Sequence, residues 1–287
     1  MRKNLLMIAA IGLMIVSGCK KTEDTPGGNN GGGGGGNPDT YPTVKNALFL
    51  YYSGSECNPC GSVGIPNYEK VIADPSNKVV PIVVHCNAPA NDSLYVADAG
   101  GQLLSLIVAN NSYSAPTYLI PPNAKFGGSA SNSNTTASSQ IQAFSAVAPD
   151  ASSIIEASVA NGTLNVKTKT KFFNALNGNY KMSILVLEDG VVFHQIVNGQ
   201  KITPYTHNQV LRAMMSATAY GDEIVNGAVT ANQIVEKTFS KALPTGLSKL
   251  LTWTPSNLSV VAIIWKHTAI SGGTNVEVVN VQKLDLN

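Results

Sequence analysis

Cys57-Asn58-Pro59-Cys60 places the tightest constraint on this chain. The four residues follow an apolar, strand-like run, Ala47-Leu48-Phe49-Leu50-Tyr51-Tyr52, and stand where a helix opens. Two cysteines three apart at a strand-to-helix junction suggest a dithiol/disulfide switch. What that switch can do depends on the redox compartment, and so on whether the chain is exported.

The N-terminus answers that question. Arg2 and Lys3 precede an apolar run from Leu5 to Val16, followed by Ser17-Gly18-Cys19. The run falls short of the ~20 residues a spanning helix needs and reads as a secretory signal. Val16-Ser17-Gly18-Cys19 resembles the lipobox of bacterial lipoproteins, which implies a signal peptide over 1–19 and lipidation of Cys19. Acyl chains at ~0.8 kcal/mol per buried methylene would hold such a chain on a membrane without a spanning segment. Lys20 stands where an inner-membrane retention signal would typically carry an aspartate, so the expected address is the outer membrane. Loss of Arg2 and Lys3 leaves 17 of the 19 basic residues against 17 acidic ones, so no electrostatic case for nucleic acid remains.

Residues 20–42 hold six consecutive glycines, Gly31 to Gly36, and cannot bury apolar surface. They are expected to form a flexible tether with a root-mean-square reach of roughly 25 Å. Over 43–148, strand-like runs alternate with helical spacing, which predicts an α/β unit. The expected elements are a strand at 47–52, a helix from the cysteine motif to Ala73 bent at Pro66, a strand at 79–85 and a helix over 92–110. A proline-led strand at 115–120, a short strand at 124–126 and a helix over 139–147 follow. Over 149–287 short strands separated by Gly/Asn turns predict an all-β sandwich: 153–159, 164–170, 182–187, 191–197, 259–265 and 275–281. Tyr205 to Ser216 fits a helical face through Val210, Leu211, Met214 and Met215, and fits a strand nearly as well.

The order strand, Cys-x-x-Cys helix, strand, helix, proline-led strand, helix resembles a minimal thioredoxin-like domain. Leu187-Glu188-Asp189-Gly190, Gln195 and Tyr205-Thr206-His207-Asn208-Gln209-Val210-Leu211-Arg212 resemble the conserved block of the twenty-eight-kilodalton outer-membrane lipoprotein family of Gram-negative anaerobes. That likeness extends upstream to the cysteine motif and to the strand ending at His85. It implies a thioredoxin-like domain joined to an immunoglobulin-like one, and it supports architecture and location more than chemistry.

In the thioredoxin-like arrangement Cys57 sits at the helix start as nucleophile and Cys60 is the resolving thiol. Pro59 has no N–H, so the Cys60 amide is the main backbone donor toward the Cys57 sulfur. Pro116 takes the place of the cis-proline that lies against such a dithiol, where exposed backbone pairs with an extended substrate. Thioredoxins keep a buried acid six residues before the first cysteine and a tryptophan just before it. Tyr51 and Glu56 occupy those places here, and a carboxylate beside Cys57 would raise its thiol pKa. Both departures point to slow exchange. Two functions stay open: exchange of disulfides with exported proteins carrying thiols or disulfides, and a non-enzymatic surface binding or adhesion module with a structural Cys57–Cys60 bond. Zinc held by Cys57, Cys60, His85 and Cys86 has suitable ligand types, but neighbouring strand residues point to opposite faces, so no metal or cofactor is expected. Cys86 reads as a buried, inert thiol, or else as a regulatory one within reach of Cys57. His207 and Arg212 read as a hydrogen-bonded corner, because no serine nucleophile or carboxylate cluster accompanies them.

Overall fold

Ala47–Ser53 form β1, buried at every position. A strand covered on both faces needs an unbroken apolar run rather than an alternating one. Leu48, Leu50 and Tyr52 enter one core cluster, and Ala47, Phe49 and Tyr51 enter another. The computed structural model describes residues 40–87, 92–105, 114–121, 124–128, 132–245, 252–271 and 273–286. The expected signal peptide, Cys19, the glycine run and the end of the helix expected over 92–110 lie outside them.

β1 pairs in parallel with β2, Val79–His85, from Ala47 opposite Val79 to Ser53 opposite His85. Between them a helix starts at Asn58, takes a π-helical turn over Cys60–Gly64 and continues as α1, Ile65–Ala73. Pro66 supplies no N–H, and the Ile65 amide bonds five residues back, to the Cys60 carbonyl. α2, Ala97–Ser105, puts Ala99 and Leu103 on the Leu48 side of the sheet. β3, Thr117–Ile120, follows a cis Ala115–Pro116 bond and runs antiparallel to β1, with β4, Ala124–Gly127, at the edge. α3, Ser133–Ser145, packs Ala137 and Ile141 on the Phe49 side.

The remaining strands are β5 (Ala151–Ala160), β6 (Thr163–Phe172), β7 (Leu176–Glu188), β8 (Val191–Val197), β9 (Gln200–His207), β10 (Val210–Met214), β11 (Asp222–Val229), β12 (Ile234–Ala242), β13 (Leu258–Ile270) and β14 (Gly273–Asp285). They do not close on themselves. The main sheet has nine strands in the order β14-β13-β7-β10-β2-β1-β3-β4, with β11 also on β7. A three-stranded sheet, β12-β6-β5, and a two-stranded hairpin, β8-β9, complete the described residues.

This corrects the expected fold class. In place of a thioredoxin-like α/β domain followed by a separate immunoglobulin-like sandwich, the chain is mainly strand, and one mixed sheet runs through both halves. The join is β10. Val210 lies opposite Val83 of β2 and opposite Glu188 of β7, and the Val83 amide donates to the Gln209 carbonyl at 2.8 Å. The free edge of β2 is buried among apolar side chains, so its backbone groups need a partner. A strand from the later half supplies it. The Leu48 cluster accordingly holds Leu185, Leu211, Ile263 and Trp265 beside Leu50 and Ile82.

Candidate functional site

Cys57 and Cys60 are joined as a disulfide at the head of the helix. The Cys60 amide donates to Cys57 Sγ at 3.3 Å, and both the Cys60 and Gly61 amides reach the Cys57 carbonyl. Cys57 Sγ lies 3.6 Å from the Ala115 carbonyl oxygen, just before cis Pro116. Cys57, Cys60 and Pro116, separated by up to 59 positions in sequence, therefore come together. The Tyr51 hydroxyl, in the position where an acid would stand, donates to the Cys60 carbonyl at 3.1 Å.

Sequence reasoning missed what covers this site. β8 and β9 are joined by Asn198-Gly199, both at positive φ, the pair that the tightest hairpin turn favours. The hairpin lies across the cysteine loop. The Ile196 amide donates to the Ser55 carbonyl at 2.8 Å. Gln195 is wholly buried, and its side-chain amide donates to the carbonyls of Gly54 (3.1 Å) and Cys57 (3.3 Å). At the turn, the Gly199 amide donates to Asn58 Oδ1 at 2.7 Å and the Asn198 amide to Ser62 Oγ at 2.8 Å. Glu56 meets His194 Nε2 at 2.5 Å and Lys201 Nζ at 3.7 Å. Its charge is thus engaged by the hairpin. Gln195 had a sequence signal, its place in the family-like block, but nothing in the sequence said which carbonyls it would reach.

Asp92 secures the loop from below. One oxygen accepts the Ser55 amide (2.7 Å) and His85 Nδ1 (2.8 Å), and the other accepts the Leu94 amide (2.8 Å). Burial opposes its charge, but the His85 contact and the two amides outweigh that and bring its pKa down to about 2. His85 rests edge-on against His207 with ring centroids 5.2 Å apart. Burial, reinforced by His85, lowers the His207 pKa to about 4. Cys86 points the other way, into the Leu48 cluster, and burial followed by the Asp92 charge pushes its thiol up to about 12. His85 and Cys86 thus share no ligand position, and the described residues hold no group of three or more His, Cys, Asp or Glu able to take a metal ion. Arg212 pairs through Nε with Glu188 at 3.0 Å and lies over Trp253.

A disulfide at a helix start, a cis-proline beside it and a hairpin docked on the cysteine loop define a β-rich protein with a nearly buried cysteine pair. The chain belongs to the outer membrane protein Omp28 family, whose model matches residues 111–287, a span that includes Pro116 and Gln195 and begins after the cysteine pair. It is therefore an outer-membrane protein, and among the described residues no helix is long and apolar enough to cross a membrane, which says nothing of a strand-built crossing. HBP35 of Porphyromonas gingivalis is similar in fold, with a TM-score of 0.63 at 15% identity over 86% of this chain and 77% of that one. Spo0M, a sporulation control protein from Bacillus subtilis, aligns at TM-score 0.25 and 9% identity over 48% of this chain and 49% of that one, too slight a likeness to carry an argument. No curated protein matches the chain in sequence.

Proposed function

We propose that the chain is a lipid-tethered binding protein of the outer membrane, without enzymatic activity, in which Cys57–Cys60 is a fixed structural bond. One observation carries the reading: Cys57 is 4% exposed and Cys60 0%, and a hairpin is fastened to Gly54, Cys57 and Asn58 of the loop that holds them. A bond that exchanges with protein partners must be reached by an incoming thiolate in line with its sulfurs. This one is almost closed to solvent. The bond fixes the turn whose carbonyls Gln195 grips, so its work is to hold the docking surface of β8 and β9. Lipidation of Cys19 is supported by the Leu5–Val16 run and by the glycine-rich stretch that follows. Mass spectrometry of the N-terminal peptide should find acyl chains on Cys19, and Cys19→Ser should leave the membrane fraction. The mature chain should reduce no protein disulfide above the small-thiol background; turnover abolished by Cys57→Ser would refute the structural reading.

The contact of Cys57 Sγ with the carbonyl before cis Pro116 favours a second reading, disulfide exchange. A partner dithiol would attack Cys57, release the Cys60 thiolate and leave as a disulfide, with the pair reduced. The same turnover assay decides between the two.

A further inference from the structure

A cavity of about 130 Å³ lies between one face of α1, β9 and the Tyr51 and Val83 positions of the parallel strands β1 and β2. Its walls are built by two periodicities. Ile65, Tyr68, Glu69 and Ile72 lie on one face of α1 at helical spacing, while Tyr205 and His207 alternate along β9. Tyr51 and Val83 make the floor. The site is pre-formed, since the Tyr68 hydroxyl is hydrogen-bonded to Gln209, which in turn is held by Asp189.

The lining has one sign of charge. Glu69 is the one acidic side chain in the lining, no Lys or Arg borders it, and among the described residues Glu69 has no ion-pair partner. His207 is neutral there, and its Nε2 is turned to the His194 carbonyl at 3.2 Å. Glu69 shares the cavity wall with Tyr68, and Tyr205 lines the same cavity from β9. An anion would meet Glu69 uncompensated. A neutral hydrocarbon would use only the apolar half of the site.

We propose that this cavity binds a small organic ammonium ion, its charge against Glu69 and its alkyl arm between Ile65, Ile72 and Val83. Aromatic rims add to the attraction for a cation. The volume suits an arm of a few carbons, since about 150 Å³ admits a six-carbon ring in another protein. The inference does not depend on the tethered-module reading, and its failure would leave that reading standing.

The probe is butylammonium, titrated into the full chain and followed by amide chemical shifts, with 1-butanol and butyrate as neutral and anionic counterparts. Saturable shifts confined to α1 and residues 205–209 are expected, with 1-butanol about two- to fivefold weaker and butyrate without effect. Glu69 is exposed, so Glu69→Gln should keep the melting temperature while losing about two- to fivefold in affinity. Ile72→Trp, which fills the cavity, should abolish binding. Equal affinity for butylammonium and 1-butanol, or an unchanged affinity in Glu69→Gln, would overturn the assignment.

Discussion

Gln195→Ala tests the covered disulfide most directly. The wild-type side chain is 0% exposed and spans from the hairpin to two carbonyls of the cysteine loop, Gly54 and Cys57. Each carbonyl keeps another donor after truncation: the Cys57 amide on Gly54, and the Cys60 and Gly61 amides on Cys57. The loss therefore lies at the lower end of the range for a removed buried partner, about 1 kcal/mol for each carbonyl and about 2 kcal/mol together. Both contacts exist only while the hairpin is docked, so the whole difference favours its lifted state. If reductant reaches the sulfurs through that state, about 2 kcal/mol raises the reduction rate roughly 30-fold, at 1.4 kcal/mol per factor of ten. The assay is reduction of Cys57–Cys60 by dithiothreitol under native conditions, quenched by alkylation and read by mass. Val192→Ala, on an exposed position of the same hairpin, should change nothing. A Gln195→Ala protein that loses stability but is reduced at the wild-type rate within a factor of two would refute the hairpin as the cover.

Gly61→Ala should act on the same contact from the other side. A Cβ there would stand 2.1 Å from the Ile196 carbonyl oxygen, backbone against backbone, so the hairpin must shift at a cost of about 1–3 kcal/mol, whereas Gly127→Ala has open space; urea midpoints compare the two. Acid should weaken the fold in two stages. His207 has its pKa lowered from 6.5 to about 4, so the unfolded chain binds the proton first; stability is full above 6.5 and falls by ~3 kcal/mol as pH drops toward 4. His207→Asn should flatten that slope. Asp92, lowered from 3.8 to about 2, adds its own loss only below 3.8, so midpoints measured between pH 7.5 and 3 should show the histidine stage first.

Local structure was legible where one element dictates its own pattern. The unbroken apolar runs gave β1 and β2 their places, Cys57 and Ala73 bounded the helix, and the cis bond stood where Pro116 led a strand. Three strands went unread. β9, β11 and β12 are polar and largely exposed, with no apolar alternation sharp enough to register. The largest miss was long-range. Val210, Leu211, Met214 and Met215 fit a helical face and a strand nearly as well, and only the unpaired edge of β2 decides for the strand. The site followed the same division: the cysteines and Pro116 carry spacing signals, whereas Asp92 and Asn58 accept from backbone amides, Ser55 and Gly199, that the fold alone brings near.

That long-range join makes the last prediction. Were the first half an independent unit, residues 40–148 would fold alone. The Leu48 cluster argues otherwise, because nine of its nineteen buried members, from Leu185 to Val281, come from beyond residue 148. Cutting there would expose the other face of those contacts and leave the β2 edge without β10, so the Val83 amide loses the Gln209 carbonyl. A lost buried backbone partner costs about 1–3 kcal/mol, and each large apolar contact surface returned to water about as much again, against a total stability of only about 5–15 kcal/mol for a domain. The fragment should therefore bind a hydrophobic dye and unfold without a sharp transition, while the full chain loses both halves in one. A fragment that melts cooperatively at the temperature of the full chain would show that the sheet merely abuts two self-sufficient units.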